Sequence, residues 1–138
     1  AITQAMATSF KAEILDEQHD LVADTIKIAL YTSSASLGAS TTAYTTSNEV
    51  ANGNGYATGG VTLANRAVST SGTTAFFDSD DPTWTSASFT ARGALIYNST
   101  NGDKAIAVLN FGGDFTVSSG TFRIVFPAAG ANAIVTIA

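Results

Sequence analysis

From Thr25 onward the apolar residues of this 138-residue chain fall into short runs that alternate with polar ones, each run ended by Gly, Asn or Ser. Period two is the repeat of a strand, whose successive side chains point to opposite faces of a sheet. Thr25-Ile26-Lys27-Ile28-Ala29-Leu30-Tyr31 is the clearest case, with Ile26, Ile28 and Leu30 on one face and Thr25, Lys27, Ala29 and Tyr31 opposite. Further strands are expected at Val61 to Val68, Thr73 to Asp78, Trp84 to Phe89, Arg92 to Tyr97, Lys104 to Phe111, Phe115 to Val117, Thr121 to Phe126 and Ala133 to Ile137. Asn52-Gly53-Asn54-Gly55, Asp80-Asp81-Pro82, Asn98 to Asp103 and Gly112-Gly113 read as the turns between them, since Asn and Gly tolerate positive φ.

One helix is expected before this region, from Thr8 to no later than Gln18. Thr8 or Ser9 would cap it, and Phe10, Ile14 and Leu15 recur at helical spacing. Asp16, Glu17 and Asp20 bring negative charge to the end where the helix dipole disfavours it, which stops the helix. The whole chain therefore reads as one mainly β domain. It is an antiparallel β-sandwich or a Greek-key or jelly-roll-like barrel of about eight strands, with an arm and short helix over roughly residues 1–20. The stretch from Ser33 to Gly60 is a long loop for a compact domain, and such loops are usually functional or ordered by a neighbour.

Composition narrows the chemistry. There is no cysteine, one histidine and one tryptophan, and 12% of residues are charged. That removes disulfides, zinc ribbons and thiol nucleophiles together. A net charge of −5, with the six cations scattered singly, argues against nucleic acid, which needs clustered Lys and Arg. No stretch approaches the ~20 apolar residues of a membrane span, and no signal peptide is visible at the start. The expectation is a soluble protein without cofactor, made in the cytoplasm and acting away from membranes.

The groups that could carry chemistry are few. His19 is the only imidazole and lies beside acidic residues without a Gly-x-Ser-x-Gly elbow, so it reads as a surface histidine and no catalytic residue is assigned. Asp78, Asp80 and Asp81 could offer oxygens to calcium, but lack EF-hand spacing, and turn chemistry is the preferred reading. Asn98-Ser99-Thr100 matches a glycosylation sequon and reads as a plain turn. Tyr31, Tyr44, Tyr56 and Trp84 would form a sugar platform only if exposed together.

The segments Ile2-Thr3-Gln4-Ala5-Met6, Ser9-Phe10-Lys11, Lys27 to Ser33, Tyr44 to Val50, Gly55-Tyr56 and Ala91-Arg92-Gly93-Ala94-Leu95-Ile96-Tyr97-Asn98 carry a further signal. With the closing strand, they resemble small structural virion proteins of tailed bacteriophages. Within that class the resemblance implies a capsid decoration, or cement, protein. Such a protein folds in the host cytoplasm, binds the major capsid protein lattice on the outside of the mature head, and is often a trimer or other homo-oligomer. A tail or head–tail connector protein, and a carbohydrate- or receptor-binding module, are the alternatives. The expected contacts are Ile2, Met6, Phe10, Tyr44 and Tyr56, on segments that would order on neighbouring subunits and add to an exposed sheet edge. On this expectation, removing the residues before Thr8 leaves the fold intact.

Overall fold

The computed structural model of the chain describes residues 1–127, 130 and 134–137. Its elements are β1 (Ala5–Met6), α1 (Thr8–Leu15), β2 (Ile26–Tyr31), β3 (Val61–Thr62), β4 (Ala67–Ser71), β5 (Thr74–Asp78), β6 (Thr83–Asn98), β7 (Lys104–Arg123) and β8 (Val135–Ile137). The fold is mainly β, with two antiparallel sheets in a sandwich-like arrangement and one short helix near the N-terminus. The larger sheet has the order β1-β7-β6-β2-β3 and the smaller one β4-β5-β8. Each sheet keeps two open ends, so neither closes into a barrel.

Five expected strands become two long ones. Trp84 to Phe89 and Arg92 to Tyr97 are one strand, β6, because Thr90 and Ala91 between them still pair with β7. Lys104 to Phe111, Phe115 to Val117 and the start of Thr121 to Phe126 likewise merge into β7. Gly112-Gly113 is not a turn between strands. It belongs to an insertion in β7, where Ala91 pairs with Phe115 but Gly93 pairs with Asn110. In the other direction, Val61 to Val68 splits into β3 and β4, in different sheets. Of the last expected strand, Ala133 lies outside the described residues, while Val135 to Ile137 pairs with Phe77 to Ala75.

β2 is buried on both faces, because Ala29 and Tyr31 are covered as fully as Ile26, Ile28 and Leu30. The covering comes from the segment 33–60. That segment is packed within its own chain, with Leu37, Val50 and Tyr56 buried, so it needs no neighbour to order it. Beyond the two residues of β3 it also closes the edge of β2. The Val50 amide donates to the Leu30 carbonyl at 2.9 Å, and the Thr32 amide to Asn48 at 2.9 Å.

The N-terminal arm is likewise part of the fold. Ala5 and Met6 pair with Val108 and Ala107, Thr3 bonds to Leu37, and Ile2 and Ala7 are buried. α1 starts at Thr8 and ends at Leu15, before Gln18 as expected, but Ala7 rather than Thr8 or Ser9 occupies its N-cap, without a side-chain bond. Phe10 is its only buried residue. No helix among the described residues is long and apolar enough to cross a membrane.

Candidate functional site

His19 is buried, contrary to the expectation of a surface side chain. Its Nε2 lies 3.0 Å from Oε1 of Glu13, its Nδ1 lies 3.0 Å from Nδ2 of Asn98, and the ring packs on Phe10. Asn98 is itself fully buried and gives a second hydrogen to Asp24 at 2.8 Å, while its carbonyl oxygen accepts from the Thr100 and Asn101 amides. Those last two bonds fix which way the amide points, so Nδ1 accepts and Nε2 donates. The sequon asparagine is thus the cap of the β6–β7 turn. No serine or threonine hydroxyl bonds to the ring among the described residues. The Asn98 amide, followed by the Asp20 amide, holds the Asp24 carboxyl below the usual carboxylate range.

A second polar centre was not legible as a site. Glu49 is the only charged residue between Lys27 and Arg66. Its Oε1 accepts from the Tyr44 hydroxyl at 2.6 Å, and its Oε2 accepts from the Tyr56 hydroxyl and, at 2.8 Å, the Gly59 amide. Tyr56 in turn accepts from the Leu30 amide at 3.0 Å. Tyr31 donates to Thr45, Tyr97 donates to Gly59, and Tyr44 stacks on Tyr97 at 4.6 Å. All four tyrosines of the chain therefore meet around one carboxylate. Burial pushes each phenol up, with Glu49 adding to the shift of Tyr44 and Tyr56. A lone acid flanked by Tyr44 and Tyr56 in an uncharged loop was the available signal.

The three aspartates proposed for calcium are committed elsewhere. Asp81 takes Arg123 at 3.0 Å and the Phe126 amide at 2.9 Å, and these bonds, the amide first, lower its pKa. Asp80 accepts from Asn65. One oxygen of Asp78 is buried without a partner, a single ligand where calcium takes six to eight. No group of three or more His, Cys, Asp or Glu that could hold a metal occurs among the described residues.

The expected contact residues do not form one surface. Ile2, Phe10 and Tyr56 are buried within their own chain, and Tyr44 is half-buried in the Glu49 centre. Met6 lines an open groove with Ile14, Leu15 and Ile137, at whose floor the buried Phe10 also lies. Tyr31, Tyr56 and Trp84 are buried, so they and Tyr44 are not exposed together.

What the molecule leaves open is apolar. One open region is a groove of about 520 Å³ between α1 and the small sheet, lined by Phe10, Ile14, Leu21, Phe77, Val135 and Ile137 among others. The other is the far half of the β6–β7 hairpin. There Phe122 touches the buried Trp84, Phe89 and Phe111, and Phe111 touches Phe115, with ring separations of 5.2–6.2 Å. Phe115 is 53% exposed and neighbouring Val125 71%. The two edges of this ribbon differ. The Asn52–Tyr56 turn lies on the β6 edge, where Ser88 donates to Asn54 and a Cβ on Gly55 would fall 2.7 Å from the Ala87 Cα. On the β7 edge, β1 and the Gln4 side chain cover the strand as far as Asn110. From 114 to 123 no strand pairs with that edge among the described residues.

Comparison with known proteins gave no match: no family model, no curated protein and no solved structure is significantly similar to the chain.

Proposed function

We propose that the protein is a structural subunit of a virus particle, a decoration protein held on the outer capsid lattice of a tailed phage. One observation carries the reading. The two polar centres that could do chemistry are closed into the fold, while the surfaces left open are apolar: the aromatic ribbon with its bare edge, and the groove beside α1. A long unpaired edge whose residues 115–122 carry no charge is a template for another chain, and soluble proteins usually cover or charge it. Two such surfaces on one small body serve a subunit that binds both its own kind and a lattice. The resemblance in the N-terminal, β2 and β6 segments supplies the particle, and on this reading the partner is the major capsid protein.

The reading is non-enzymatic, needs no cofactor, and involves neither nucleic acid nor membrane. The arginines support this, since Arg66 is spent on the Leu21, Val22 and Leu63 carbonyls, and Arg92 and Arg123 are paired with Asp114 and Asp81. The test is to mix purified protein with expanded, undecorated capsids and count bound copies by cryo-microscopy. Hundreds of copies over the outer lattice are expected. Density confined to the portal vertex or tail would replace this role with that of a connector or tail protein.

A further inference from the structure

The bare edge of β7 reads Asp114-Phe-Thr-Val-Ser-Ser-Gly-Thr-Phe-Arg123. Read from its two ends inward, it pairs acid with base, Phe with Phe, Thr with Thr, Val with Gly and Ser with Ser. Such a segment matches its own reverse, and a two-fold antiparallel contact requires this property, because residue i of one copy meets residue j of the other and j meets i. We infer that β7 pairs antiparallel with β7 of a second copy, about a dyad between Ser118 and Ser119, joining two large sheets into one. The inference rests on reading the protein as an assembling subunit, but not on which particle it joins.

The faces agree with this register. Directly opposed residues in an antiparallel pair lie on one face of the sheet. Phe115 and Phe122 are seven positions apart, which in a regular strand would put them on opposite faces. β7 has one extra residue between Val117 and Gly120, where Phe89 pairs with Val117 but Ala87 with Gly120, and Ser119 has φ 50. The bulge restores the parity. Phe115 and Phe122 both pack on Phe111, on the same face. Asp114 and Arg123, each one position outward, then share the other face and are both more than half exposed. The pairing sets Asp114 opposite Arg123 of the second copy, Thr116 opposite Thr121, and Phe115 opposite Phe122, with the bulge on the dyad and a short ladder on either side. A contact of this length lies at the small end of specific interfaces, so self-association is expected to be weak in dilute solution and strengthened when many copies share a lattice.

The chain has no cysteine, so disulfide trapping has no background. Opposed residues of an antiparallel pair stand within the Cα separation that a disulfide spans. Under mild oxidation the double variant Thr116→Cys/Thr121→Cys is expected to give covalent dimers, as is a mixture of the two single variants. Each single variant alone, which places its cysteines far apart across the dyad, stays monomeric on a non-reducing gel. Sedimentation equilibrium adds a second readout. Asp114→Lys and Arg123→Asp each place like charges across the dyad and should weaken self-association several-fold. Their equimolar mixture places opposite charges at both positions and should recover it. A wild-type protein that shows no self-association at the highest concentration it reaches in solution, or cross-linking equal in the single and double variants, would overturn the pairing. Capsid binding by a monomeric protein would retain the decoration role and remove this contact; a dimer that binds no particle would do the reverse.

Discussion

Tyr56 gives its hydroxyl hydrogen to Glu49 and takes one from the Leu30 amide, so a single side chain joins the long loop to the edge of β2. Glu49 also holds Tyr44 and the Gly59 amide, and no other charge is near enough in sequence to replace it. Removing the carboxylate strands three donors at once, and a stranded buried donor costs about 1–3 kcal/mol. Glu49→Ala should therefore lower unfolding free energy by about 3 kcal/mol, and Tyr56→Phe by about 1–2 kcal/mol. Urea denaturation measures both. Unchanged midpoints would mean that the loop is held by apolar packing alone.

The same centre sets an alkaline limit. Burial raises Tyr97 to about 12 and the other three tyrosines higher still, whereas an unfolded tyrosine ionises near 10. Above about pH 10 the folded chain binds more protons than the unfolded one. The stabilisation is complete below that point and is lost as pH rises through about 12. Phenolate absorbance and circular dichroism followed together against pH should change in one step, at the pH of unfolding. Phenolate that forms in a chain still folded would contradict this burial.

Much of the fold was legible, because strand periodicity and turn residues are local. β2, β5 and the ends of the β6–β7 hairpin stand close to where the pattern put them. The breaks between strands were misplaced where Gly112-Gly113 and the Ser-rich stretches look like turns but are bulges inside a continuing ladder. Whether a glycine pair ends a strand depends on the partner strand, which sequence does not show. Burial of the 1–7 arm and of His19 was missed for the same reason. Ile2 is covered by contacts with Leu37 and Gly93, and His19 by Asn98, all distant along the chain.

Gly60 offers a sharper test of how closely the loop lies on β2. Its φ is +78°, and a Cβ there would stand 1.8 Å from the Ile28 carbonyl oxygen, a backbone atom fixed by the sheet. Gly60→Ala combines a left-handed conformation with a backbone collision, so it should cost more than about 3 kcal/mol. Gly72→Ala, at φ +60° but with nothing near, isolates the conformational part and should cost about 1 kcal/mol. Thermal denaturation of the two variants separates the effects; equal losses would remove the collision.

Acid should weaken the fold through Asp24 and Asp81, whose carboxyls the structure holds below their usual range. The unfolded chain then binds protons more readily, so this contribution is present above about pH 4 and is lost as pH falls through the folded values. Asp81→Asn keeps the shape while removing the charge that meets Arg123 and the Phe126 amide. Its stability should fall less steeply than that of the wild type between about pH 5 and 2. Parallel curves would assign the acid sensitivity to other carboxylates.

The N-terminal arm gives the test that most directly separates a docking segment from a core segment. Ile2 is 7% exposed, and its side chain lies within 2.9 Å of the position a Cβ on Gly93 would take. The backbone on either side bonds to Leu37, and Ala5 and Met6 add a strand to β7. Ile2→Ala removes buried methyl groups and should cost about 2–4 kcal/mol. Deleting residues 1–7 also exposes Ala7's site and the edge of β7 at Ala107 and Val108, and should cost more, with aggregation as the visible result. An arm that exists only to dock would leave the urea midpoint of the truncated protein unmoved. The packing of Ile2 requires instead that the midpoint fall.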